Sequence, residues 1–402
     1  MTALEASPLT LANGPAEFAR CIFMPLPRSD QRRWAEVYLR GLLTIPGKKT
    51  IKKMIRVCGD NDVSRMTQSL QQFISQSTWD WYQVREAMAR KLHASLDAEA
   101  WVVDQAVVPK RGTHSVGVAK RFVAAQGRTF NCQVGIGLFL ATDIGSLPVD
   151  WSLALDDTWS LNDERRSRAK IPGDVAGKPD SQLILDMVDR AVHDWGLPAL
   201  PVVAGLCNCP DAYSLLAGLQ ERGTSLVLEV PASLEVLPAF PANAKPAAKA
   251  AEADGARLPT ARELVSGGTS RPHVTSVPHD TDQAQRVFLR SCLVQVPGLR
   301  TRPHLSLATF RLYAEWSPTE SQATRFWITN LLDRRPDEIM RLAAMRQESA
   351  TDLDRMEKSF GVKDFEGRSF PGWHRHMTMA SAAYAFDRLK AAGRLMACAP
   401  SF

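Results

Sequence analysis

WVVDQAVVPKRGTHSVGVAKRFVAAQGRTFNCQVGIGLFLAT, residues 101–142, decides the fold. Trp101, Val102 and Val103 form a short apolar run that ends in Asp104. Such a run suits a buried strand. Here it delivers a carboxylate at the edge of a sheet. The basic pair Lys110 and Arg111 opens the connection that follows, which Gly112 and Gly117 punctuate. A second apolar run, Cys132–Ala141, reads as the neighbouring strand.

Downstream, VDWSLALDDTW (149–159) reads as a third strand and its exit, with a basic run at Arg165–Lys170 after it. Ser181–Val192 carries apolar residues at helical spacing, Leu197–Leu206 is a buried strand, Ala212–Arg222 a helix and Ser225–Val230 another strand. This alternation points to an α/β fold. Residues 239–259, AFPANAKPAAKAAEADGARLP, are rich in Ala and Pro and low in complexity, the composition of a loop. RVFLRSCLVQV, LSLATFRLYAEW and RFWITNLL, between 286 and 332, return to β patterning. A long helix is expected over Pro336–Phe360 and a last one over Ser381–Ala391. The stretch DFEGRSFPGWHRHM, Asp364–Met377, reads as a tight Gly-punctuated turn.

Upstream, residues 1–30 look like a loose leader. Four amphipathic helices follow, over Gln31–Leu43, the segment KKTIKKMIRVCGD (48–60), Asp62–Gln76 and Trp79–Leu96. In the second, Ile51, Met54, Ile55 and Cys58 make one apolar face, and Lys49, Lys52, Lys53 and Arg56 occupy much of the rest. Residues 1–95 hold 14 Lys and Arg against 8 Asp and Glu, so the formal charge of +6 sits in the first quarter of the chain. A basic module before a nearly neutral body suits a polyanion-binding region. A solvated basic helix face is the plain alternative.

At 402 residues, 45% hydrophobic and 23% charged, the chain has the composition of a multi-domain globular protein. It lacks an apolar run of about 18 residues, so no membrane span is expected. Its start lacks the basic-then-apolar pattern of a secretory signal. Seven scattered cysteines, an odd number, suggest reduced thiols in the cytoplasm.

The segments SVGVAKRF (115–122) and NCQVGIGL (131–138), placed after Val102-Val103-Asp104, resemble the DDE transposases of bacterial insertion sequences. The resemblance covers roughly residues 30–390. It implies an RNase H-like α/β core at 97–235 and 335–395, behind the leader and an N-terminal helical domain at 31–96 of DNA-binding type. A low-complexity loop and β-rich insertion at 236–334 would separate the second and third acids. DNA is the implied partner, with a homodimer possible, and Mg²⁺ is implied only if strand transfer survives. Asp104 matches the first of three metal-binding acids. The second belongs after Val202-Val203-Ala204, where Gly205 stands, and the third at Ala350, counting back from GVKDFEGRSFPGWHRH (361–376). In the family that late segment, with Glu366, Arg368, His374 and His376, packs beside the active site.

Two Mg²⁺ need oxygen ligands, and Gly205 and Ala350 supply none. Asp211 and Asp354 are the nearby acids that could substitute. Arg346, one turn before Ala350 on the same helix face, would oppose a metal. The leading expectation is therefore a DNA-binding, transposase-like protein with a broken centre, and Lys110 and Arg111 join the helix cations as its contacts. An active but altered transposase is a second expectation. A third is a repurposed cleft in which Cys207, or Cys209, acts as nucleophile with His374 or His376 as base. A zinc site of the same four residues lacks the usual spacing. Asp104 alone also fits a structural acid, bonded to Lys110 or to backbone.

Overall fold

The computed structural model describes residues 14–57, 63–123, 126–205, 212–239, 257–266, 272–277, 285–300 and 307–395. Five helices come first: α1 (Pro15–Ile22), α2 (Ser29–Thr44), α3 (Ile51–Val57), α4 (Val63–Ser75) and α5 (Trp81–Ser95). The expected four match α2 to α5. Helix α1 lies in the stretch expected to be loose, where Phe18, Cys21 and Ile22 are buried. Pro15 begins it, as the fixed φ of proline favours.

The strands β1 (Ala98–Pro109), β2 (Ala119–Val123), β3 (Arg128–Thr142) and β4 (Gly145–Leu153) form an antiparallel group in which β3 pairs with the other three. Two parallel strands continue the sheet beside β1: β5 (Val202–Gly205) and β6 (Leu226–Val230). Both are near-continuous apolar runs, as strands covered on both faces require. Helix α9 (Ala212–Glu221) lies between them in sequence; α6 (Asp157–Ser160), α7 (Asp163–Ala169) and α8 (Asp180–Asp189) precede β5.

Further strands extend this sheet: β7 (Leu237–Pro238), β8 (His273–Val277), β9 (Gln285–Arg300), β10 (Leu307–Trp316) and β11 (Arg325–Thr329), with α10 (Ala261–Ser266) between β7 and β8 in sequence. The path runs β2-β3-β1-β5-β6-β11-β10-β9-β7, with β8 on β9. The low-complexity stretch falls mostly outside the described residues. Helices α11 (Pro336–Ser359) and α12 (Phe370–Ala391) close the fold.

Strand β1 is longer than the run before Asp104 suggests, because Ala106 and Val108 are also buried. Asp104 thus sits mid-strand, not at a strand end. Strand β5 is shorter than expected, with Pro198 and Pro201 upstream of it. The largest difference is α12. Residues 370–377 are helix, not turn, and the Ser369 side chain caps it by accepting from Gly372 N. The helix is buried nearly all round and packs against α1, α2, α4, α5 and β4. Its polar residues face inward with partners: Arg375 donates to the Trp79 and Ile74 carbonyls at 3.3 Å, and Ser381 Oγ accepts from Trp151 Nε1 at 2.8 Å.

Arg85 joins α5, β4 and α12. It is fully buried, and it donates to Asp150 Oδ1, the Trp151 carbonyl and Thr378 Oγ1, each at 2.8 Å, and to the His374 carbonyl at 3.0 Å. Arg190 holds the other Asp150 oxygen. Cys21 is disulfide-bonded, against the expectation of reduced thiols. Scatter along the sequence does not keep two cysteines apart in space.

Removing one partner of a buried ion pair strands the other. Asp150→Ala is expected to lower stability by about 3–5 kcal/mol. Urea unfolding of the full chain measures it; an unchanged midpoint would contradict the role given to the pair.

Candidate functional site

Register brings three positions into one row. Val103 pairs with Ala204 in the parallel ladder of β1 and β5, so Asp104 stands beside Gly205. Gly205 pairs in turn with Glu229 on β6. Successive strand residues point to opposite faces. Gln105 reaches Asp180 of α8 at 3.2 Å, while Asp104 lies on the face under α11 and feels the charge of Arg346.

Asp104 Oδ1 accepts from Gln105 N at 2.8 Å; Oδ2 is sealed from solvent and has no hydrogen-bond partner. Burial pushes the carboxyl above its ordinary range, opposed by the Gln105 N–H and by Arg346. Among the described residues neither Lys110 nor another side chain bonds it, so the structural-acid alternative has no such anchor there. Lys110 instead donates to the Phe365 carbonyl at 2.9 Å.

Arg346 occupies the middle of the row. A Cβ built on Gly205 would overlap its guanidinium. Arg346 Nη1 lies 3.3 Å from Glu229 Oε2, and Arg325 Nε lies 3.0 Å from Glu229 Oε1. Arg325 is also 3.9 Å from Glu315. Charges of alternating sign therefore run from Asp104 through Arg346, Glu229 and Arg325 to Glu315. Ala350 is one turn along α11 from Arg346 and offers a methyl group. Asp354 is exposed and paired with Lys358 at 2.5 Å. Glu357, farther along α11, is raised by burial, and Asp104 is among the charges that add to this. It pairs with Lys363.

A pair of Mg²⁺ does not fit these side chains. The row offers the carboxylates of Asp104 and Glu229 with a guanidinium held between them, over a glycine. Among the described residues, no group of three His, Cys, Asp or Glu is placed to hold a metal ion. Cys207, Cys209 and Asp211 lie outside the described residues.

A family model for the DDE superfamily endonucleases matches residues 21–294, more than half of the chain. The chain belongs to the DDE superfamily of endonucleases. The match contains Asp104 and Gly205 and ends before α11, so it does not reach Ala350. The mixed sheet fits the RNase H-like fold that the resemblance implied. Among curated proteins, none matches the chain. No helix of the described residues is long and apolar enough to cross a membrane.

His374 and His376 are core residues of this endonuclease-family chain and not cleft residues. They are 2% and 1% exposed. His376 Nε2 lies 2.8 Å from the Gly361 carbonyl, which can only accept, so Nε2 carries the proton and Nδ1 accepts from Tyr38 OH at 2.8 Å. Burial pushes His376 down to about 4. Burial also holds His374 well below its ordinary value, aided by Arg85, Arg190 and Arg375. Trp81 stacks on its ring at 4.9 Å.

The expected DNA contacts divide likewise. Lys52, Lys53 and Arg56 are exposed on α3. Lys49 is buried: its ammonium donates to the Ile45 carbonyl and its backbone N–H to Asp364 at 2.8 Å. It precedes α3, so the helical wheel does not apply to it. Lys53 Nζ donates to the Lys48 carbonyl at 3.1 Å, and Lys48 pairs with Glu366 at 2.7 Å. Burial lowers Lys110, and the charge of Lys48 adds to this. Arg111 and Arg368 are exposed.

Sequence reasoning missed Glu229. Its signal was a lone carboxylate in the apolar run LVLEV (226–230), but only strand register aligns it with Gly205.

Two outcomes are expected. Gly205→Ala should destabilise by about 1–3 kcal/mol, the usual cost of overpacking, and nearly nothing once Arg346 is also Ala. A double-mutant cycle in urea reads the coupling; additive costs would mean that Arg346 does not fill the space. His376 has a folded-state pKa below its unfolded value, so the unfolded chain binds the extra proton. Its contribution is therefore complete above about pH 6.5 and is lost as pH falls towards about 4. Midpoints measured between about pH 7.5 and pH 5 should fall less in His376→Gln than in wild type.

Proposed function

We propose that this chain binds DNA without carrying out strand transfer, as a transposase-family protein whose metal centre is broken. One observation carries the reading: the Arg346 guanidinium lies over Gly205 between Asp104 and Glu229. A fixed monovalent cation there repels a divalent ion and has no open coordination position to present to a phosphodiester. Asp104 is the remaining acid of the centre, and Gly205 and Ala350 lack the other two. The low proton affinity of His374 and His376, and their burial, speak against a histidine-activated thiol at Cys207.

The family acts on DNA, and the exposed cations of α3, with Lys110 and Arg111, would meet phosphates. We assign the contact to Lys52, Lys53, Arg56, Lys110 and Arg111, and leave out Lys49. Such a protein would work in the cytoplasm beside its DNA, as a repressor or a competitor of an active relative. A homodimer would suit an element with two ends.

The test is binding of flanking DNA across a salt series. Lys52→Ala, Lys53→Ala and Arg56→Ala together should reduce the log–log salt slope by up to about three units. Lys49→Ala should leave it unchanged. Incubation with Mn²⁺ should yield no nicks. Nicking that disappears in Asp104→Ala would falsify the reading.

A further inference from the structure

Past the end of β1 lies a cavity that the DDE row does not use. It measures about 380 Å³ and is lined by Pro109, Lys110, Arg111, Arg128, Phe130 and Asn131. Along the strand it is roughly 20 Å from Asp104, at about 3.3 Å per residue.

Its chemistry is specific. Three of the six lining residues are cations and none is an acid. Lys110 has been taken partly out of water, and burial lowers its hold on its proton. Its ammonium donates to the Phe365 carbonyl at 2.9 Å and has no ion pair among the described residues, so an anion in the cavity would supply the counter-charge. The nearby Glu366 is engaged by Lys48 at 2.7 Å. Phe130 offers an aromatic face, over which the Arg128 guanidinium already lies at 5.2 Å from the ring centroid. A base stacked there would take the place of that guanidinium, which would be freed to pair with the phosphate. An inorganic phosphate would leave Phe130 unused. The volume falls in the range of small-ligand sites, about 300–1,000 Å³, and excludes a duplex.

The adjacent edge strand adds one cation to this face: on β2, Arg121 stands opposite Phe130, while Lys120 and Phe122 point to the other face of the sheet.

We propose that this cavity holds one unpaired nucleotide at a DNA end, with its base on Phe130 and its phosphate among Lys110, Arg111 and Arg128. The proposal rests on the DNA-binding reading above and names the form of DNA that this surface selects.

The experiment measures anisotropy with the full chain and three probes: a blunt duplex, the same duplex with a one-nucleotide overhang of either polarity, and dAMP as competitor. Wild type should prefer an overhang over the blunt end by roughly five- to a hundredfold, the worth of one stacked base. Phe130→Leu keeps apolar volume and loses the π face; it should abolish the preference and leave blunt binding intact. Should Phe130→Leu fail to fold, Arg111→Met, at an exposed position, should shrink the preference. Equal binding of blunt and overhanging duplexes overturns the nucleotide site and spares the DNA reading. No binding of either duplex overturns both. Competition by dAMP as strong as by an overhang would assign the cavity to a free nucleotide and overturn the DNA-end proposal.

Discussion

Arg85 is a guanidinium sealed from water, and the packing of the N-terminal helices on the sheet depends on its being satisfied. An unpaired charge at such depth is prohibitive. Asp150 on β4 supplies the counter-charge, and carbonyls at Trp151 and His374 take further N–H groups. Three elements distant in sequence therefore have to meet at one point. The apolar residues of α1 to α5 and those of the sheet belong to one continuous core, with α12 as its axis. Because the basic surface of α3 is seated on that core, its position relative to the carboxylate row follows from packing and not from a linker.

Much of the architecture was legible because local pattern and burial agree. Val202, Val203 and Ala204 are apolar because both faces of their strand are covered, and α2 to α5 show the spacing of helices with one buried side. Helix α12 was hidden for the opposite reason. His374, Arg375, His376, Thr378 and Ser381 look like surface or site residues in a sequence, yet all are buried. Their partners come from Tyr38, Ile74, Trp79, Arg85 and Trp151, far away along the chain. Periodicity cannot reveal a polar residue whose partner is supplied by another element. Lys49 was misread in the same way: charge suggested solvent, while the Ile45 carbonyl and Asp364 hold the residue inward.

The candidate site was half legible. Asp104 stood out as a carboxylate within an apolar strand, and Arg346 as a cation on the face of α11 that a metal would share. Their relation to Glu229 was not legible, since it arises from the parallel register of β5 and β6. Strand register depends on tertiary packing, and nothing local to Gly205 announces it.

This arrangement bears on how an acid-lined cleft can persist without its metals. Carboxylates gathered for divalent ions repel one another when those ions are absent, and burial sharpens the repulsion. On the proposed reading, two substitutions act together. Gly205 removes one carboxylate and also frees the volume above β5. Arg346 fills that volume and places its charge between Asp104 and Glu229. The same guanidinium that opposes a metal ion thus neutralises the acids that remain. A side chain returned at position 205 would meet Arg346 first, so a single Gly205→Asp substitution replaces a metal ligand without making room for a metal. Any route back to a divalent centre has to move Arg346 before it can use a new acid.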